Sequence, residues 1–169
     1  VRPEFEVLTG LSTDYLPSGC VPWQYILEDT DSYVSVYKGL GYKTMAVHPY
    51  TSSFYNRKAA YPKIGIDELH FDDDIYALGE ELGLTIRGRQ ISDDTFASAI
   101  EYYLDKNSDS PVFLFGISME NHQPYPDKFE TPDIEVKNDA FDESTANAVT
   151  NFTTGIADAD KCLKRLVDY

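Results

Sequence analysis

No stretch of the sequence approaches the roughly 20 consecutive apolar residues that a helix needs to cross a bilayer, and no signal-peptide pattern is visible in these residues. Cysteine is scarce: Cys20 and Cys162 are the only two in 169 residues. Two are too few for a disulfide framework, so both are expected as unpaired, partly buried thiols. Positive charge is also short, with 14 Lys and Arg against 29 Asp and Glu and a formal net charge of −15. That balance excludes a nucleic-acid partner, whose phosphates need Lys and Arg to neutralise them. It equally excludes docking on an anionic bilayer through a basic surface. An anionic ligand would have to be met by a local basic island in an acidic field. Also absent are a Walker loop, a zinc-type Cys/His set, a Gly-x-Ser-x-Gly elbow and a dinucleotide fingerprint.

What is present suits one packed α/β domain. Hydrophobic residues make up 42% and aromatics 14%, with 13 tyrosines, whose rings pack on one side and stay wet on the other. Residues 1–23 read as an extended lead-in, a short helix or loop, and a Pro-rich turn around Pro17, Gly19 and Pro22. A helix is expected over Asp31–Leu40, capped by Asp31 or Ser32 and ended by Gly39 and Gly41. Lys43–Val47 reads as a short strand that Pro49 terminates. Residues 50–61 read as a polar, aromatic loop with one helical turn, and a second short strand is expected around Glu68-Leu69-His70. Asp72, Asp73 and Asp74 then cap a short helix and lack the Gly and downstream Glu of an EF-hand. Ser92 opens a helix whose Phe96, Ala99, Ile100, Tyr103 and Leu104 share one face.

The run Val112–Ile117 suits a strand buried on both faces of a parallel sheet. Glu120–Asp139 is a long polar loop carrying Pro124, Pro126 and Pro132, and loops of that length are often functional. In the last helix Val149, Phe152, Ile156, Ala159, Leu163 and Leu166 form the expected buried stripe. Gly155 within it costs about 1 kcal/mol relative to Ala. The Asn151-Phe152-Thr153 sequon lies inside this helix and is discounted. The element order predicts an α/β sandwich with a mainly parallel sheet flanked by helices.

In such sheets ligands bind beyond the carboxyl ends of the strands. His48 and His122 each follow a predicted strand, so parallel strands would bring both imidazoles to one edge. The alternative is two histidines that merely decorate loops. His70, ahead of an acidic run, reads as structural. Arg57, in Phe54-Tyr55-Asn56-Arg57, is either a bidentate anion clamp or a surface ion pair, and taken alone the ion pair is the simpler reading. Arg87-Gly88-Arg89 reads as structural or rim.

Several strings together resemble a family. Glu4-Phe5-Glu6-Val7-Leu8-Thr9-Gly10 looks like the segment that follows the nucleophile in lipoteichoic acid synthases and related phosphoglycerol transferases of the alkaline phosphatase and sulfatase superfamily. Gly41-Tyr42-Lys43-Thr44, His48 and Phe54-Tyr55-Asn56-Arg57 are similar to its "GYK…H…F-W/Y-N-R" block. Ile64–Glu68 resembles its "GID-x-F" segment, and Asn121–Tyr125 its "N-H-x-P-F/Y" motif. The blocks fall in family order from residue 4 to about residue 125.

The resemblance implies that residues 1–169 are a central fragment of one sulfatase-like catalytic domain with both flanks missing. It implies a metal-dependent enzyme that moves glycerophosphate from phosphatidylglycerol to a cell-envelope polymer or glycolipid. His48, Tyr55, Arg57 and His122 would contact the glycerophosphate. The nucleophilic Thr would fall directly before Val1, and Thr9 and Thr13 do not match its motif. The manganese or magnesium ligands would also lie outside this chain, which alone would then be inactive. The parent would be membrane-anchored and act on the extracellular face, and the fragment itself would be soluble. Tyr50 departs from the family pattern and leaves the acceptor, and phosphate versus sulfate, open. A sulfatase or phosphodiesterase of the same superfamily, a non-catalytic domain binding anionic glycans or polyol phosphates, and an unrelated flavodoxin-like domain are the rival readings.

Overall fold

Lys43–Val47 forms β1, and four of its five residues, Thr44, Met45, Ala46 and Val47, are buried because it is the middle strand of a three-stranded parallel sheet. The computed structural model describes all 169 residues. In chain order the elements are α1 (Arg2–Thr9), α2 (Tyr33–Gly39), β1, α3 (Arg57–Ala60), β2 (Glu68–His70), α4 (Asp72–Ala77), α5 (Gly79–Leu82), β3 (Ile86–Arg87), β4 (Gln90–Ile91), α6 (Asp93–Lys106), β5 (Val112–Gly116) and α7 (Glu143–Asp168), with short 3-10 turns between. The chain divides into two compact units. One comprises Val1–Asp74 with Leu104–Gly116, the other Ile75–Tyr103 with Ile117–Tyr169.

The first unit holds the sheet, in the order β2-β1-β5. Val47 pairs with His70 on one side and with Gly116 on the other, both in parallel register. β5 is half-buried along Val112–Phe115, not buried on both faces as its apolar run predicts. It is an edge strand of this sheet, with β1 as its neighbour. Ser32 caps α2 through a reciprocal capping box with Ser35.

The larger correction is at the start. Residues 2–9 are a helix, not an extended lead-in. Glu4–Leu8 alternates like a strand, yet Phe5, Leu8 and Thr9 are buried at helical spacing while Val7 is 62% exposed. Pro3 fits the first turn, where its missing N–H is not needed, and Gly10 closes the helix in the left-handed region at φ 73°. Phe5 and Tyr61 each meet the edge or face of fully buried Trp23, at centroid distances of 5.0 and 5.1 Å. Val34, Ala60, Ile64 and Ile66 belong to the same core.

In the second unit, β3 and β4 form a two-stranded antiparallel hairpin turned by Gly88, and Ser92 caps α6 by accepting from the Thr95 N–H. Helix α7 buries a different stripe from the one its apolar pattern predicts. Thr150, Asn151, Thr154, Gly155 and Cys162 are buried, while Phe152, Ile156 and Leu163 are 42%, 50% and 61% exposed. The reason is backbone satisfaction. The long loop between β5 and α7 has no ladder of its own, and α7 supplies the acceptors. Asn147 Oδ1 accepts from Asp127 N–H at 2.8 Å, Asn151 Oδ1 from Phe129 N–H at 2.8 Å, and Thr150 Oγ1 from Val136 N–H at 2.9 Å. Both cysteines are free thiols. No helix is long and apolar enough to cross a membrane.

Gly155 has a packing reason that propensity conceals. A Cβ there would lie 2.1 Å from Asn121 Oδ1 and 2.9 Å from Asn121 Cβ, so the whole Asn121 side chain would have to leave. Gly155→Ala should therefore lower the melting temperature, despite the gain of about 1 kcal/mol that Ala offers a free helix. A raised melting temperature in thermal unfolding would show that Asn121 yields at little cost.

Candidate functional site

Because β1, β2 and β5 run parallel, their carboxyl ends share one edge of the sheet. His48, the first residue past β1, is 3% exposed, and its backbone N–H donates to the His70 carbonyl at 2.9 Å. His70 itself ends β2 beside Val47, so the histidine read as merely structural stands at the same edge as His48. Its Nε2 lies 3.5 Å from Glu68 Oε2. Burial pulls its pKa below the usual imidazole value, against the opposing charges of Asp74 and Glu68.

From His48 an unbroken line of ring contacts leads to Arg57. His48 and Tyr50 stand 6.1 Å apart, Tyr50 and Phe54 5.6 Å, and Phe54 and Tyr55 4.5 Å, while the Arg57 guanidinium lies 5.3 Å from the Tyr55 ring centre. Three of the four predicted site residues thus belong to one contact chain. Tyr55 and the following Asn56 both adopt left-handed backbone, at φ 57° and 63°. Two such non-glycine residues in succession cost on the order of 1–3 kcal/mol each and persist only where the surroundings enforce them, often at functional sites. Asn56 Nδ2, which donates to the Trp23 carbonyl at 3.1 Å, is one such restraint. A shallow cavity of about 520 Å³ opens against Gln24, Phe54, Tyr55 and Asn56.

Arg57 departs from the simpler of the two readings its sequence context offers. It is 5% exposed, so it is no surface ion pair, and its charge is already partnered. Nε and Nη2 each donate to the Glu4 carboxylate at 2.8 Å, in a parallel two-point fork. The same carboxylate accepts from Trp23 Nε1 at 2.9 Å and from the Tyr61 hydroxyl. Burial alone would raise the Glu4 carboxyl, but Arg57 and Tyr61 outweigh it and hold it below its ordinary value. Burial, and then the Glu4 charge, push the Tyr61 phenol far above its usual range. Glu4 was not legible as a partner, because 53 residues separate it from Arg57. Glu4→Ala would leave a buried guanidinium uncompensated, a change that typically costs about 3–5 kcal/mol. Urea unfolding of that variant should show a loss of this size, and a loss below about 1 kcal/mol would mean that the pair is not buried in solution.

His122 lies in the second unit, in the loop after β5, where its imidazole is exposed and Nδ1 sits 2.8 Å from the Gln123 carbonyl. Lys128 Nζ donates to the His122 backbone carbonyl at 2.7 Å, and the neighbouring Asn121 Nδ2 reaches the Phe152 carbonyl at 3.4 Å.

The second unit also buries two carboxylates that sequence reasoning missed, Asp93 and Glu120, which are 2% and 0% exposed. Glu120 Oε2 accepts from the Asp93 N–H at 2.6 Å. Burial pushes the Glu120 carboxyl up to about 7, with the charges of Asp93 and Asp158 adding to it and the Asp93 N–H opposing. Nowhere in the chain do three His, Cys, Asp or Glu side chains converge in a way that could hold a metal ion. Since Glu120 binds its proton more tightly folded than unfolded, its ionisation opposes folding. Stability should fall as pH rises from about 4.5 to about 7, by about 1–3 kcal/mol. Glu120→Gln should flatten this slope in urea titrations across that range, and an unchanged slope would remove Glu120 as its source.

Comparison with known proteins gives this geometry a context. The family described as Sulfatase matches residues 1–169. A Rhizobium meliloti (strain 1021) protein described as a candidate cyclic beta-1,2-glucan modification protein is 32% identical over 98% of this chain, which spans 25% of that protein. The capsular polysaccharide biosynthesis protein RkpI of the same strain is 27% identical over 99% of the chain, and the match spans 29% of its own length. The phosphoglycerol transferase GacH of Streptococcus pyogenes, solved in complex with sn-glycerol-1-phosphate, superposes with a TM-score of 0.78 at 21% identity, covering 98% of this chain and 42% of that one. The lipoteichoic acid synthase LtaP of Listeria monocytogenes superposes with a TM-score of 0.76 at 19% identity, covering 99% and 40%. The match along the whole chain leads to one assignment, with which the parallel sheet and the shared fold agree: this chain belongs to the sulfatase family.

Proposed function

We propose that these residues form the substrate-binding part of a phosphoglycerol transferase that moves glycerophosphate from phosphatidylglycerol to a cell-envelope glycan or glycolipid. The observation that carries this reading is the fold shared over 98% of the chain with an enzyme solved with sn-glycerol-1-phosphate, taken with the cluster of His48, Tyr55 and Arg57 beyond the end of β1. Glucan modification and capsular polysaccharide biosynthesis, named for the two Rhizobium relatives, favour a saccharide acceptor. The chain spans about a quarter to two-fifths of the proteins it matches. In this reading it is a central fragment of one catalytic domain. The nucleophilic Thr and the ligands of the manganese or magnesium ion then lie outside it, and the complete protein is membrane-anchored and works at the extracellular face.

Within that protein each residue has a distinct task. Glu4 takes two of the five guanidinium donors of Arg57 and fixes its plane. The remaining donors give directional bonds to a phosphoryl oxygen. Tyr55, held by its strained backbone against Arg57, packs on the glycerol carbons. His48 donates to a second phosphoryl oxygen as negative charge shifts in the transition state. His122, entering the reaction as the imidazolium, gives its proton to the diacylglycerol oxygen as that oxygen's bond to phosphorus breaks, or, as the neutral ring, serves only as a hydrogen-bond donor to it.

The test uses the complete protein with phosphatidylglycerol, following release of diacylglycerol. His48→Ala and His122→Ala should each lower turnover roughly tenfold or more, with unchanged thermal stability in His122→Ala, whose side chain is exposed, and with His48→Ala assayed below its own unfolding transition because that side chain is buried. Unchanged turnover in both would remove the imidazoles from the site. Turnover of an aryl sulfate with none of phosphatidylglycerol would assign the protein to the sulfatase alternative.

A further inference from the structure

The shallow cavity of about 520 Å³ in the first unit is lined by Val21, Gln24, Ser53, Phe54, Tyr55 and Asn56. In a chain where 25% of the residues are charged, none of these six is. All but Val21 are exposed, with Phe54 at 45% and Tyr55 at 39%, so their side chains are open to a ligand. The Phe54 and Tyr55 rings meet at 70° with centroids 4.5 Å apart, and they form a corner rather than one flat wall. Two restraints keep that corner in shape. Asn56 is tied to the Trp23 carbonyl, and Tyr55 and Asn56 are both held in left-handed backbone. Backbone strain of that kind clusters at ligand clamps, where it fixes the surface that is presented.

The lining selects among ligand classes. A phosphate would need a cation in the wall, and the wall has none. An acyl chain would strip water from the Gln24 and Asn56 amides and from the Ser53 hydroxyl without replacing the lost hydrogen bonds. A sugar ring meets both demands. Its C–H face packs on an aromatic ring, and its hydroxyls donate and accept, as the amides and the Ser53 hydroxyl do in return.

We infer that this cavity binds a sugar ring of an uncharged glycan, with Phe54 against its C–H face and Gln24, Ser53 and Asn56 at its hydroxyls. Tyr55 stands at the boundary with the glycerophosphate residues, since the Arg57 guanidinium lies 5.3 Å from its ring centre. That the glycan is the acceptor, seated beside the glycerophosphate, rests on the transferase reading, whereas the saccharide contact itself does not.

The test is a calorimetric titration of the complete protein with a β-1,2-linked glucose trisaccharide. Glycerol and the short-chain lipid dihexanoylglycerol are the controls. Saturable binding of the trisaccharide is expected, with neither control able to displace it. Gln24→Ala and Phe54→Ala should each weaken it about tenfold. Both side chains are exposed, so both variants should keep the parent melting temperature, and if one does not, the other decides alone. No saturable binding, displacement by dihexanoylglycerol or glycerol, or unchanged affinity in the folded variants would overturn the assignment. The two readings fail separately. Trisaccharide binding lost in the variants, in a protein that releases no diacylglycerol from phosphatidylglycerol, would keep the saccharide site and remove the transferase. Diacylglycerol release without trisaccharide binding would remove the saccharide site alone.

Discussion

The guanidinium of Arg57 and the carboxylate of Glu4 form the interaction on which the first unit turns. Both side chains are more than nine-tenths buried, and a charge in that setting is tolerable only when its partner is fixed. The fork therefore ties helix α1 to the segment that follows β1. Trp23 and Tyr61 donate to the same carboxylate, and their rings also meet the aromatic core. Polar and apolar constraints thus coincide at one point. The consequence for function is positional. With Arg57 held from behind and Asn56 tied to the Trp23 carbonyl, Tyr55 is pinned in a backbone conformation it would not choose.

The second unit solves a different problem. A proline-rich loop cannot satisfy its backbone through a ladder, so a long helix has to offer side-chain acceptors instead. Asn147, Thr150 and Asn151 do this along one face of α7. That requirement, and the close seat of Asn121 on Gly155, decide which face of α7 turns inward. They leave Phe152, Ile156 and Leu163 outward, an arrangement that hydrophobic periodicity alone would assign the other way.

The same contrast explains what the sequence made legible. β1, β2, α2, α6 and the parallel sheet follow from local signals: a cap at Ser32, a cap at Ser92, short apolar runs and terminating glycines or prolines. The grouping of His48, Tyr55 and Arg57 was visible because nine residues of sequence hold them together. The helical start was not, since Glu4–Leu8 alternates and only burial of Phe5 and Leu8 resolves the period. Nor was Glu4 as the partner of Arg57, or the pairing of Glu120 with the Asp93 N–H across 27 residues. Such contacts depend on chain separation and topology, which no local pattern carries. The edge position of β5 was hidden for the same reason, because an apolar run says nothing about how many neighbours a strand acquires.

The central claim is that the groups beyond the carboxyl end of β1 grip a glycerophosphate. A crystal structure of the complete protein with sn-glycerol-1-phosphate measures this directly. The account predicts the phosphoryl oxygens within hydrogen-bond reach of His48 and of the Arg57 nitrogens that Glu4 leaves open, with the glycerol carbons against the Tyr55 ring. A phosphate bound elsewhere, with the fork between Arg57 and Glu4 sealed from it, would contradict the account.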